Sequence, residues 1–216
     1  MVRTLKSGRK GPHGASSVLV FLHGYGADGG DLLGLGNVLA PHLPGTAFYA
    51  PDAPERCVNN PMGFQWFPIP WLDGSSEEMA RASMAQSIDD INAFLDKVLA
   101  DEGLTPDRMI VVGFSQGTMM ALHVLPRRDQ PVAGIVGFSG RLLAPELLGD
   151  IGVRPPILLA HGDQDPMVPF ADMGLAAEAL RGADFDVHTH VMPGTGHGIS
   201  PDGLSVALDF IRDRLG

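Results

Sequence analysis

Gly113-Phe114-Ser115-Gln116-Gly117 sets a serine between two glycines, each two residues away. A serine hydroxyl is a weak nucleophile until a base takes its proton and a sharp turn lifts it clear of the backbone. The pattern G-x-S-x-G provides such a turn where it joins a strand to a helix. The serine is then strained, and larger side chains at the glycine positions would collide. The run MIVVGF before Ser115 and the helical segment after it supply that context. Gly137-Phe138-Ser139-Gly140-Arg141 repeats Gly-Phe-Ser after a strand but lacks the second glycine, so Ser115 is the expected nucleophile rather than Ser139.

A nucleophile of this kind needs an acid and a histidine base, in the chain order Ser, acid, His. Among the eight histidines, only His197 follows a strand in a glycine-rich loop near the C-terminus, Gly194-Thr195-Gly196-His197-Gly198. Between Ser115 and His197, the segment His161-Gly162-Asp163-Gln164-Asp165-Pro166 follows the apolar run ILLA. Asp165 is the expected acid, holding the imidazole in one tautomer and stabilising the imidazolium. Asp163 is the alternative acid and otherwise a brace for that loop. Acyl transfer also needs backbone donors for the developing oxyanion. Gln116 N–H, just after the nucleophile, is one. Tyr25 N–H, in the loop His23-Gly24-Tyr25-Gly26 that follows VLVFL, is the other. The reaction expected is hydrolysis of an ester or thioester through an acyl-serine, with no cofactor and no metal. His188 and His190 alternate on a strand without a third ligand and read as surface residues.

The same early loop carries a rival. Gly24-Tyr25-Gly26-Ala27-Asp28-Gly29 is a literal G-x-G-x-x-G after a strand, and Asp52 follows the next strand. That spacing suits a dinucleotide-binding Rossmann oxidoreductase. It leaves the segments around Ser115, Asp165 and His197 without a role, and a glycine-rich chain makes such matches by chance. A non-catalytic binding protein on the same scaffold would be expected to have lost one of the three catalytic side chains.

These residues must be held by a scaffold. Apolar runs of strand length at Val18–His23, Ala47–Ala50, Met109–Phe114, Ala133–Phe138, Ile157–Ala160 and Asp186–Met192 alternate with segments of helical period. That is the mark of a mostly parallel sheet buried on both faces. Ser75 and Glu78 form a capping-box pattern. Met84, Ile88, Ile91, Leu95 and Val98 follow as one apolar stripe, which Gly103 ends. Further helices are expected over Gln116–Leu125, Phe170–Arg181 and Leu204–Leu215. No regular period fits residues 51–74, which hold both tryptophans. Their apolar residues Met62, Phe64, Trp66, Phe67, Ile69 and Trp71 are expected either to line an acyl groove or to cover a sheet edge.

The chain has 216 residues, 44% of them hydrophobic and 19% charged, which excludes a disordered or fibrous protein. No linker or repeat divides it, so residues 1–216 are read as a single domain. Acids exceed bases by 25 to 15, giving a net charge of −10 that argues against nucleic acid or anionic membranes as partners. Cys57 is the only cysteine, and no apolar run has the length of a membrane span. A cytoplasmic location without stable membrane insertion is expected.

With these motifs together, the chain resembles the phospholipase/carboxylesterase family of small α/β-hydrolases, which includes acyl-protein thioesterases. The resemblance runs from about Ser17 to the C-terminus. It rests on FLHGYGADGGDL, YAPDAP, the QWF segment at Trp66, GFSQG, HGDQDPMVP and GTGHGIS. It implies an α/β-hydrolase fold, with a mostly parallel central sheet, helices on both faces and no large cap domain, and often a homodimer. It matches Ser115, Asp165 and His197 to the catalytic triad, and Tyr25 and Gln116 to the oxyanion hole. One departure is local. Members commonly carry an acid after the Trp-Phe pair, whereas Pro68-Ile69-Pro70 follows Phe67 here.

Overall fold

The computed structural model describes residues 1–216. In chain order the elements are β1 (Ser7–Lys10), β2 (Ser17–Leu22), α1 (Gly29–Leu33), α2 (Leu35–Leu39), β3 (Thr46–Pro51), β4 (Glu55–Arg56), β5 (Phe64–Gln65), α3 (Pro70–Asp73) and α4 (Glu77–Glu102). There follow β6 (Met109–Phe114), α5 (Gln116–Val124), β7 (Gly134–Phe138), β8 (Ile157–Gly162), α6 (Ala171–Gly182), β9 (Val187–Met192) and α7 (Pro201–Leu215).

Seven strands form one sheet in the order β1-β3-β2-β6-β7-β8-β9. Only β1 is antiparallel; every other neighbouring pair is parallel. Parallel strands need both faces covered. Alternate residues supply the two layers. Val18, Val20 and Leu22 of β2, with Met109 and Val111 of β6, pack into a core beneath α4, α5 and α6. Leu19 and Phe21, with Ile110 and Val112, pack on the opposite face beneath α1, α2 and α7. The two small strands β4 and β5 form a separate hairpin, and no large cap domain covers the sheet.

Helix α4 uses the expected stripe. Ile91, Leu95 and Val98 are buried, and Met84 and Ile88 pack against the same core. Gly103 ends it in the left-handed region, at φ 66°. Its cap differs from the expected capping box by one residue. Ser76, not Ser75, accepts the Met79 N–H, at 3.1 Å, which leaves Glu78 out of the reciprocal position.

The chain leaves β2 toward β3 on one side, and β6 lies on the other. Crevices for ligands open at such switch points, beyond the carboxyl ends of the strands. The loop after β2 and the turn after β6 therefore share one crevice. They carry Tyr25 and Ser115.

Candidate active site

Ser115 sits between β6 and α5 with φ 52° and ψ −115°. This strain is held from both sides. Ser115 N–H donates to Phe138 O at 2.8 Å, and the flanking glycines permit backbone to lie against backbone. A Cβ on Gly113 would lie 2.5 Å from the Cα and N of Thr118, and one on Gly117 would fall on the Leu22 carbonyl. Ser139 has a similar φ of 48° but is wholly buried, with no hydrogen bond to its hydroxyl.

Asp165 and His197 meet from two other loops. Asp165 Oδ2 lies 2.8 Å from His197 Nδ1, and the Asp165 side chain is fully buried. Its Oδ1 accepts the amides of Met167 and Val168, at 2.8 and 2.9 Å. Burial alone would push the carboxyl up. The hydrogen bonds from His197, Val168 and Met167 outweigh it and hold Asp165 below the usual carboxylate range. Asp163 points elsewhere and accepts Gly194 N–H at 2.7 Å, tying the acid loop to the histidine loop. The His197 ring lies 4.9 Å from that of Phe114. Ser115 and His197 line one cavity but are not hydrogen-bonded to each other, and such contacts commonly tighten only when substrate binds.

The loop after β2 closes onto Ser115. A Cβ on Gly24 would lie 3.3 Å from Ser115 Cβ. Around Tyr25, Gly26 N–H donates to Phe64 O and Ala27 N–H to Gly24 O, whereas Tyr25 N–H has no acceptor. Gln116 is the first residue of α5, so its N–H has no partner within the helix. His23 fixes this loop from below. Its Nε2 accepts Ala53 N–H at 2.9 Å, so its Nδ1 carries the proton given to Gly24 O at 2.7 Å. Burial drives its pKa down and keeps the ring neutral.

The G-x-G-x-x-G segment is thus occupied by internal contacts. Asp28 caps α1 in a reciprocal pair with Asp31, and Asp52 accepts Gly29 N–H at 3.0 Å. The surface histidines pair separately, His190 with Asp202 at 2.8 Å and His188 with Asp186 at 3.2 Å.

A cavity of about 560 Å³ opens at Ser115. Of the groove residues expected from the sequence, Phe67, Ile69 and Trp71 line it, with Tyr25 and Gln116. Met62, Phe64 and Trp66 do not. Met62 projects into solvent, and Phe64 stacks under Arg56 in the small hairpin. Trp66 is completely buried and donates its indole N–H to His23 O at 2.9 Å, so it buttresses the loop after β2. Met84 of α4, Met119 of α5 and Leu143 of the loop after β7 join the wall.

Two organisers were not anticipated. The Gln116 side chain accepts Trp66 N–H at 2.9 Å and donates to Phe67 O at 2.8 Å, fixing the 66–67 segment to α5, the helix that follows Ser115. Asp73 accepts Tyr25 OH at 3.0 Å and Ile69 N–H at 2.7 Å. Burial acts to raise its carboxyl, but these bonds and those from Ser75 hold it low. The Asp73-Gly74 turn is the only local signal for this role.

The chain matches the phospholipase/carboxylesterase family over residues 9–215. It is similar to the crystal structure of esterase PE8, with 39% identity and a TM-score of 0.92, over 99% of this chain and 100% of that one. Acyl-protein thioesterase 1 of Saccharomyces cerevisiae is 30% identical, over 93% of this chain and 94% of the yeast protein. Esterase YpfH of Escherichia coli is 27% identical, over 92% and 83%.

Proposed function

The chain belongs to the phospholipase/carboxylesterase family and is a carboxylic ester hydrolase, and from that premise we propose that Ser115, His197 and Asp165 carry out two-step acyl transfer. The observation that carries this reading is the 2.8 Å contact between buried Asp165 and His197, beside a serine strained to φ 52° in the same cavity. With Nδ1 donating to Asp165, His197 keeps Nε2 free to act as base. It takes the Ser115 proton as Oγ attacks the ester carbonyl, and the N–H groups of Tyr25 and Gln116 receive the oxyanion. The imidazolium then protonates the leaving alcohol. Water, deprotonated by His197, releases the acid from the acyl-serine and restores the site.

The acyl chain lies along Phe67, Ile69, Trp71, Met84, Met119 and Leu143. A second reading, hydrolysis of acyl thioesters, is favoured by the relatives named acyl-protein thioesterase 1. In this proposal residues 1–216 act as a single α/β-hydrolase domain in the cytoplasm, with a homodimer as the assembly that the family implies. The net charge of −10 argues against nucleic acid as partner, and no helix is long and apolar enough to cross a membrane.

A fluorophosphonate probe tests the nucleophile. Labelling of the native chain that disappears in Ser115→Ala is expected, and an unlabelled native chain sinks the proposal. Asp165→Asn should keep the fold and lose ~10³–10⁴ in turnover; a near-native rate would refute its role. Rates on aryl esters of rising chain length, beside an acyl thioester, decide between the two substrate readings.

A further inference from the structure

His161 lies within β8, beside the acid loop but outside the cavity, and takes no part in the steps described above. It is buried, with 1% of its side chain exposed. Its Nε2 lies 3.0 Å from Val168 O and 3.3 Å from Asp165 Oδ2. Both neighbours accept hydrogen bonds, so Nε2 must carry the ring proton. Val168 in turn donates its N–H to Asp165 Oδ1 at 2.9 Å. The hydrogen bonds run from His161 to the Val168 backbone and on to the Asp165 carboxylate, whose Oδ2 stands in close polar contact with Nε2 without being hydrogen-bonded to it. The imidazole edge also packs against Phe170, 6.1 Å between ring centres, at the start of α6.

We propose that His161 is a positioning residue that fixes the rotamer of the acid. This rests on the assignment of Asp165 to the triad. The physical argument is one of rigidity. The turn Asp165–Val168 is a loop, and its two amides can aim the carboxylate only if the turn itself is held. His161 ties that turn to a strand paired on both sides, with β7 and β9. Its N–H also stands 3.3 Å from Oδ2, the same oxygen that holds His197, and this polar contact favours the carboxylate orientation in which that oxygen meets His197. Catalytic geometry tolerates errors of only ~0.5 Å, and a misplacement of ~1 Å can cost ~10²-fold in rate.

The test is a set of four variants assayed on a soluble aryl ester, with folding checked by circular dichroism and melting temperature. His161→Phe keeps the ring's bulk and removes the N–H. Its kcat should fall by roughly 10–100-fold with KM within about twofold of native. His161→Gln puts an amide donor at nearly the reach of Nε2 and should recover most of that loss. His161→Asn, whose donor stops one carbon short, should not. If His161→Phe does not fold, the Gln and Asn variants still give the comparison, with Gln at least about tenfold faster. Native kcat in folded His161→Phe, or equal kcat in Gln and Asn, overturns the proposal. Asp165→Asn run alongside separates the two levels. Native turnover there removes the triad assignment and this inference with it, whereas collapsed turnover beside a fully active His161→Phe removes the inference alone.

Discussion

Gly113→Ala is the sharpest test of how the turn at Ser115 is built. The new methyl would stand 2.5 Å from both Cα and N of Thr118 and 2.6 Å from the carbonyl carbon of Gly117. Carbon contacts settle at about 3.5–4.0 Å, so roughly 1 Å of separation is missing. All three atoms are backbone, in the first turn of α5, and no side-chain rotation relieves them. Either the start of α5 moves away from β6 by about that distance or the strand end bends. Overpacking of this kind costs about 1–3 kcal/mol, and the rigid partners place it at the upper end. For a chain of this size each kcal/mol lowers Tm by ~2–4 °C, so a drop of roughly 4–12 °C is expected. Activity should suffer further, because the same turn carries Ser115 and the Gln116 N–H. A ~1 Å displacement there corresponds to ~10²-fold in kcat. The control is Gly174→Ala in α6, where a Cβ meets nothing within 4 Å. It should stabilise by ~0.5–1 kcal/mol and leave activity unchanged. Thermal melts and aryl-ester kinetics on both variants give the answer. A Gly113→Ala protein with native Tm and native kcat would refute the steric account of the motif.

Gln116→Ala keeps the backbone donor but removes the side chain that holds Trp66 N–H and Phe67 O. The buried Trp66 amide loses its acceptor at about 1–3 kcal/mol, and KM for long-chain esters should rise more than KM for acetate. Unchanged stability with an unchanged chain-length profile would refute it. For pH, burial lowers the pKa of His23 and of His123, so the unfolded chain binds more protons than the native one. Stability is then full above about pH 6.5 and declines as pH falls from there toward the native-state values, by up to ~1.4 kcal/mol per pH unit per histidine. Urea midpoints measured from pH 7.5 to 5.5 should fall, and less steeply in His123→Gln; a flat native profile contradicts the argument.

The inner parallel strands were legible because burial on both faces demands unbroken apolar runs, and Met109–Phe114 begins and ends as the pattern predicts. The edge strand β1 was not. Its residues Ser7–Lys10 carry no apolar signal, since an antiparallel edge strand is held by backbone pairing with β3 and is protected from further pairing by its charge. Hairpin strands of two residues, β4 and β5, are too short to show a period. The aromatic stretch shows a different limit. Phe64, Trp66, Phe67 and Trp71 are similar in type, and their separate fates depend on distant partners such as His23 O for Trp66. His161 was hidden for the same reason, as its partners lie on a turn whose path follows from tertiary contacts.

The motif loops were legible as glycine-rich sequence, but their purpose lies in which backbones touch. A Cβ on Gly162 would fall on the carbonyls of Thr195 and Gly196, so the acid loop and the histidine loop meet without side chains between them. Gln164 N–H crosses the same junction to Thr195 O at 3.0 Å, and Asp163 crosses it to Gly194. On the other side, Gly117 lies against Leu22 and Gly24 against Ser115. Several of these junctions are therefore direct backbone contacts, with the Asp163 carboxylate and the Ser115 Cβ as the side-chain exceptions. This accounts for a buried carboxylate and an imidazole borne on separate loops, 32 residues apart in sequence, being held at 2.8 Å. It also places the adaptable part of the molecule elsewhere. Under the proposed acyl-transfer reading, substitutions at Trp71, Met119 and Leu143 of the cavity wall should alter chain-length preference while the spacing of Asp165 and His197 stays fixed.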